Sequence, residues 1–173
     1  MKSLPEPFFS QVNMNNNITI LGVGNTIYSD DGVGIRVVER LEKEYDFPDN
    51  VLVVDGGILG INLLGIISNA GQMIVVDTVL NHGQPGDIHR LTHDEIPNRI
   101  LAKNSLHQVD LIEALTLCHA LDHVPQTTII GVEPKDLNTL SEELTPEIAA
   151  KVDELIQKTL EELVRLGGTY TIK

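Results

Sequence analysis

An apolar segment, Ile18 to Val23, runs straight into a glycine-rich loop: Gly22-Val23-Gly24-Asn25, then Ser29-Asp30-Asp31-Gly32-Val33-Gly34. An unbroken apolar run that ends in glycines reads as a strand buried on both faces, turning tightly into a helix. That unit opens parallel α/β sheets of the nucleotide-binding kind. Loops of this shape usually cradle a phosphate with backbone N–H groups, but this one presents two carboxylates, Asp30 and Asp31. It should attract a cation and repel an anion.

The alternation continues along the chain. Gly32 to Tyr45 reads as a helix with Val33, Val37, Val38 and Leu41 on one side. Val51 to Val54 is a second strand ending in Asp55-Gly56-Gly57. Leu59 to Asn69 fits a helix packed on the sheet, and Met73 to Val76 is a third strand ending at Asp77. Asp87 to Leu91 reads as a fourth strand. The gap before it is too short for a helical crossover, so it should run antiparallel to the others. Ser105 with Gln108 makes a capping box that opens the next helix. Thr127 to Val132 is the last strand. Thr145, with Pro146 at the first helical position, starts a final helix that stops at Gly167-Gly168. The order implies a mostly parallel five-stranded sheet with helices on both faces. Residues 1–16, with two prolines and an asparagine run, read as a poorly ordered leader; 17–168 form one domain, and 169–173 a tail.

Composition narrows the function classes. Twelve basic against twenty-five acidic residues give a net charge of −13 over 173 residues. Such a field opposes nucleic acid and anionic membrane surfaces. No apolar run approaches the roughly 20 residues of a membrane span. The N-terminus lacks the apolar core of a signal peptide, so a cytoplasmic location is expected. The single cysteine, Cys118, excludes an internal disulfide and a cysteine-built zinc site. Its leucine neighbours make it a small buried hydrophobe.

Parallel α/β sheets place their sites beyond the carboxyl ends of the strands. Here the first strand delivers Asp30 and Asp31, the second Asp55 and the third Asp77. One such acid is commonly a turn former or helix cap, and Asp30 sits where a cap for the first helix belongs. Several on one rim repel each other unless something positive joins them. A metal ion is the economical candidate, and a borderline cation wants nitrogen as well as oxygen donors. Of the six histidines, His82, His89, His93, His119 and His123 need no functional explanation. His107 falls in the first turn of the Ser105 helix, where the positive helix end favours the neutral imidazole that binds metal. Spacing alone leaves its role as a ligand open.

Other chemistries fit poorly. In a dinucleotide fingerprint begun at Gly22-x-Gly24 the third glycine would fall at Ile27, and the two aspartates would face the pyrophosphate. The sequence has no Gly-Lys-Ser/Thr of a P-loop and no Gly-x-Ser-x-Gly elbow.

Taken in order, the two parts of the opening loop, Asp55-Gly56-Gly57, Val75-Val76-Asp77, Ser105-Leu106-His107-Gln108 and Gly131-Val132-Glu133-Pro134 resemble the hydrogenase maturation proteases. The resemblance runs over roughly residues 18–167. It implies a three-layer α/β/α sandwich around a five-stranded sheet with one antiparallel strand. It implies an endopeptidase of aspartic, metal-recognising type that removes a C-terminal extension from the large-subunit precursor of a nickel–iron hydrogenase after nickel insertion. By the same resemblance Asp31, Asp77 and His107 bind the nickel, which the substrate carries and the enzyme holds only transiently. Some relatives have glutamate where this chain has Asp31; the shorter side chain keeps the same donor atoms. Asp55 is implied as a site-shaping acid and candidate catalytic residue, with a structural role as the alternative. Two other classes stay open. One is a non-catalytic, nickel-dependent chaperone of the precursor; the other is an α/β peptidase with its own tightly held metal.

Overall fold

The computed structural model describes residues 16–57, 64–92, 95 and 125–173. Strand β1 (Ile18–Gly22) is buried along its whole length, as an unbroken apolar run requires. A single 3-10 turn (Ser29–Gly32) leads into helix α1 (Val33–Glu44), which buries Val33, Val37, Val38 and Leu41. Then come β2 (Tyr45–Asp46), β3 (Val51–Asp55), α2 (Leu64–Asn69), β4 (Gln72–Thr78), β5 (Ile88–Thr92) and β6 (Gln126–Val132). The chain closes with α3 (Pro146–Ala149), α4 (Val152–Arg165) and β7 (Thr171–Ile172).

The five-stranded sheet has the order β3-β1-β4-β6-β5. β1, β3, β4 and β6 are parallel, and β5 runs antiparallel to β6 with Ile88 opposite Val132. The reversed strand is the one whose connection was too short to cross over. One face of the sheet packs Ile20, Ile74, Val76 and Ile130 against α1, α3 and α4. The other packs Leu21, Met73, Val75 and Ile129 against Ile67 and Leu64 of α2. Helices thus cover both faces, the layered arrangement expected.

Two departures have simple causes. The expected final helix is split, because Ala150 and Lys151 form a turn between α3 and α4. Residues 169–173, expected to be a tail, contain β7, which pairs antiparallel with β2; Lys173 N also donates to Glu44 O at 3.0 Å. The aromatic pair Tyr45 and Tyr170, edge to face at 5.5 Å, packs that corner. The stop at Gly167 is as read: its φ of 88° is left-handed, and Gly168 N caps back to Leu163 O at 2.9 Å. Among the described residues no helix is long and apolar enough to cross a membrane. Residues 1–15 of the leader, the Ser105 helix with His107, and Cys118 lie outside the described residues.

Candidate active site at the carboxyl ends of the strands

The sheet register fixes where the acids stand. Gly22 of β1 lies opposite Asp55 of β3 on one side and Val76 of β4 on the other. The carboxyl ends of three adjacent parallel strands therefore share one edge, with Asp55 ending one of them and Asp77 one step beyond Val76 on another.

Glycine makes this edge compact. A Cβ on Gly34 would stand 2.2 Å from Val76 O and 2.4 Å from Val23 O. No larger residue allows the first turn of α1 to press onto the strand ends. Gly24 has φ 141°, and a Cβ there would fall 1.8 Å from Asp31 O. The loop after β1 folds back on itself so that Asn25 N donates to Asp31 Oδ2 at 3.1 Å. The Asp55-Gly56-Gly57 turn is stitched to this loop by Gly56 N to Gly22 O at 2.8 Å and Gly24 N to Gly57 O at 3.2 Å.

The acids differ in setting. Asp31 and Asp77 are nearly buried, 6% and 3% exposed. Asp77 Oδ1 accepts the N–H of Thr78 at 2.7 Å. Asp55 is exposed, and its Oδ1 accepts Gly57 N at 2.8 Å to hold the turn. Among the described residues no group of three or more histidine, cysteine, aspartate and glutamate side chains could by itself hold a metal ion. His107, the nitrogen donor of the expected set, lies outside them.

Asp30 is not the cap of the first helix. The α1 N-cap is Gly32, with no side-chain cap. The Asp30 carboxylate is instead completely buried and points at a segment more than a hundred positions away. Oδ2 accepts Lys135 N at 3.0 Å and Asp136 N at 2.9 Å. Oδ1 accepts Thr145 N at 2.8 Å and the Thr145 hydroxyl at 2.9 Å. That engagement is why Thr145, at the N-cap of α3, makes no side-chain cap bond of its own.

Glu133 had no role assigned beyond its motif. Its buried carboxylate accepts Asn81 N at 3.0 Å and faces His89 Nε2 at 3.0 Å. The Asn81 side-chain amide lies 3.2 Å from His89 Nδ1. An amide N–H aimed at Nδ1 makes that nitrogen the acceptor, so the ring proton sits on Nε2 and points at Glu133. This network pins the loop after β4 beside the acid-bearing edge. The only sequence hint was an acid directly after a strand.

A doubly wound α/β protein with an acid-lined carboxyl edge is the class these features define. The chain belongs to the hydrogenase maturation protease family, whose model matches residues 35–162, and it is therefore a peptide-bond hydrolase. It is 34% identical over 152 residues to the hydrogenase 2 maturation protease of Escherichia coli K12, covering 87% of this chain and 92% of that one. It is 36% identical over 152 residues to the hydrogenase expression/formation protein HupD of Thiocapsa roseopersicina, covering 87% of this chain and 69% of the relative. The solved structure of the hydrogenase maturating endopeptidase HybD from E. coli superposes with a TM-score of 0.86 at 32% identity, covering 91% of this chain and 98% of that one.

Proposed function

We propose that this protease removes the C-terminal extension of a nickel–iron hydrogenase large-subunit precursor after nickel insertion, and that Asp31, Asp77 and His107 recognise the nickel in the substrate. The observation that carries this reading is the presence of two nearly buried carboxylates, Asp77 near the end of β4 and Asp31 in the loop that follows the neighbouring strand β1. Two oxygens and one imidazole nitrogen suit a borderline divalent cation. Such a set also tolerates a metal that arrives already bound to other ligands.

The work of the chain is then positional. With Asp31, Asp77 and His107 on the substrate's metal, the peptide bond beside it is held in one orientation rather than sampled. The family affiliation, with this acid-rich edge, favours hydrolysis by water over a serine or cysteine nucleophile. A carboxylate serves as general base, and exposed Asp55 is the candidate because water can reach it. The substrate's cation, held beside the scissile carbonyl, polarises it.

The test is incubation of nickel-loaded precursor with the protein, read by mass spectrometry of the precursor's C-terminus. Wild type removes the extension; Asp31→Asn and His107→Ala leave the precursor at full mass while keeping the wild-type melting temperature. Full cleavage by either variant would refute its role. A wild type that binds loaded precursor and never shortens it is the chaperone alternative.

A further inference from the structure

The acid-bearing edge also carries an apolar ledge that no core contact explains. Ile27 is 48% exposed and Leu140 is 72% exposed. Ser141 N donates to Ile27 O at 3.0 Å and Ser29 N to Ser141 O at 2.8 Å, the two bonds of a parallel bridge between Tyr28 and Ser141. The bridge sets the backbones of Ile27 and Leu140 side by side, each one residue before a bridged partner, and both side chains are exposed. Tyr28, the next residue along, is 37% exposed. Single exposed apolar side chains are ordinary on any surface; adjacent ones beside a site ask for a partner.

The ledge is also rigid. Asp30 ties down both ends of the segment that carries Leu140, through Lys135 N and Asp136 N at one end and Thr145 at the other. The Asp136 carboxylate then accepts Asn138 N at 2.9 Å and Thr139 N at 3.0 Å, just ahead of Leu140. On the other strand Ser29 is held at φ 44°, a conformation unfavourable for a residue with a side chain, and its hydroxyl donates to Glu143 O at 3.1 Å. An apolar surface ordered in advance binds without the entropy cost of fixing a loop.

We propose that Ile27 and Leu140 form a subsite that receives a large apolar side chain of the precursor close to the scissile bond. This rests on the protease reading above. Continuity assigns the occupant, because Ile27 lies on the same short loop as Asp31. Charge does so as well. The ledge is bordered by the exposed carboxylates Glu142 and Glu143 and by Asp31, so it complements a segment in which an apolar side chain lies near a cationic centre. A second copy of this chain brings the same acids and a net charge of −13, and would be repelled.

The test measures initial rates on nickel-loaded precursor. Ile27→Ala and Leu140→Ala are expected to raise KM by about tenfold each, with the effect in KM rather than kcat and the melting temperature unchanged. Among precursors with single apolar residues near the cleavage point replaced by serine, one should cost wild type a similar factor and the Leu140→Ala enzyme little more. Wild-type KM in both variants overturns the subsite. So does a concentration-dependent dimer, seen by sedimentation, that Leu140→Ala dissolves while KM stays put. If wild type does not cut the loaded precursor at all, the protease reading falls and the subsite with it, an outcome the same assay separates from the others.

Discussion

Asp30 and Asp31 are chemically identical neighbours in the chain, both buried, and the fold gives them different partners. The Asp30 carboxylate is spent on the backbone N–H groups of Lys135, Asp136 and Thr145 and on the Thr145 hydroxyl. An asparagine there offers one acceptor oxygen and turns an NH₂ group toward donors. Asp30→Asn should therefore cost about 3 kcal/mol, the range for leaving buried donors unmet by a charged acceptor. Urea denaturation measures that loss, and faster hydrogen exchange at the amides of 135, 136 and 145 locates it. An unchanged midpoint would mean that the network contributes nothing. None of this was legible from position: an aspartate just before a helix has the local pattern of a cap, and its true partners lie 105 to 115 residues downstream. The position of Asp55 and Asp77 at strand ends was legible, because it needs only the strand ends, which apolar runs mark clearly.

At the level of elements, an ion pair fastens the antiparallel edge strand to α4. Arg90 of β5 holds Glu162 through Nε to Oε2 at 2.8 Å and Nη2 to Oε1 at 2.9 Å. The Glu162 side chain is only 2% exposed. Burial pushes its carboxyl up, but the hydrogen bonds and charge of Arg90, helped by Arg165 and Thr128, outweigh this and hold it below its ordinary 4.5. A lowered folded-state value means stability that is present above about pH 4.5 and lost as pH falls below it. Arg90→Leu should cost about 3 kcal/mol at pH 7, the low end for stripping one partner from a buried pair, since Arg90 is itself partly exposed. The cost should shrink in acid, where Glu162 takes a proton. Denaturation at pH 7 and pH 3.5 checks the sign; an equal loss at both would point to packing alone. The reversal of β5 could be read from the chain because loop length forbids a crossover. The pairing of β2 with β7 could not, since two-residue strands carry no period and the two lie far apart in the chain.

For the whole molecule, the proposed function turns on where the metal resides. The purified protein should carry only substoichiometric nickel by elemental analysis, and precursor prepared without nickel should stay uncut over times that consume the loaded form. Cleavage of the empty precursor at the loaded rate would remove metal recognition from the account, while stoichiometric, tightly held metal would favour a resident-metal peptidase. The register that sets Asp55, Gly22 and Val76 side by side has a further consequence. Neighbouring strands stand about 4.8 Å apart because their backbones are hydrogen-bonded, so the strands fix the spacing of the residues they carry whether or not a substrate is present. A protein built this way ends each turnover as it began. On the proposed function, in which the metal arrives with the substrate, such an edge would need no reloading between one precursor and the next.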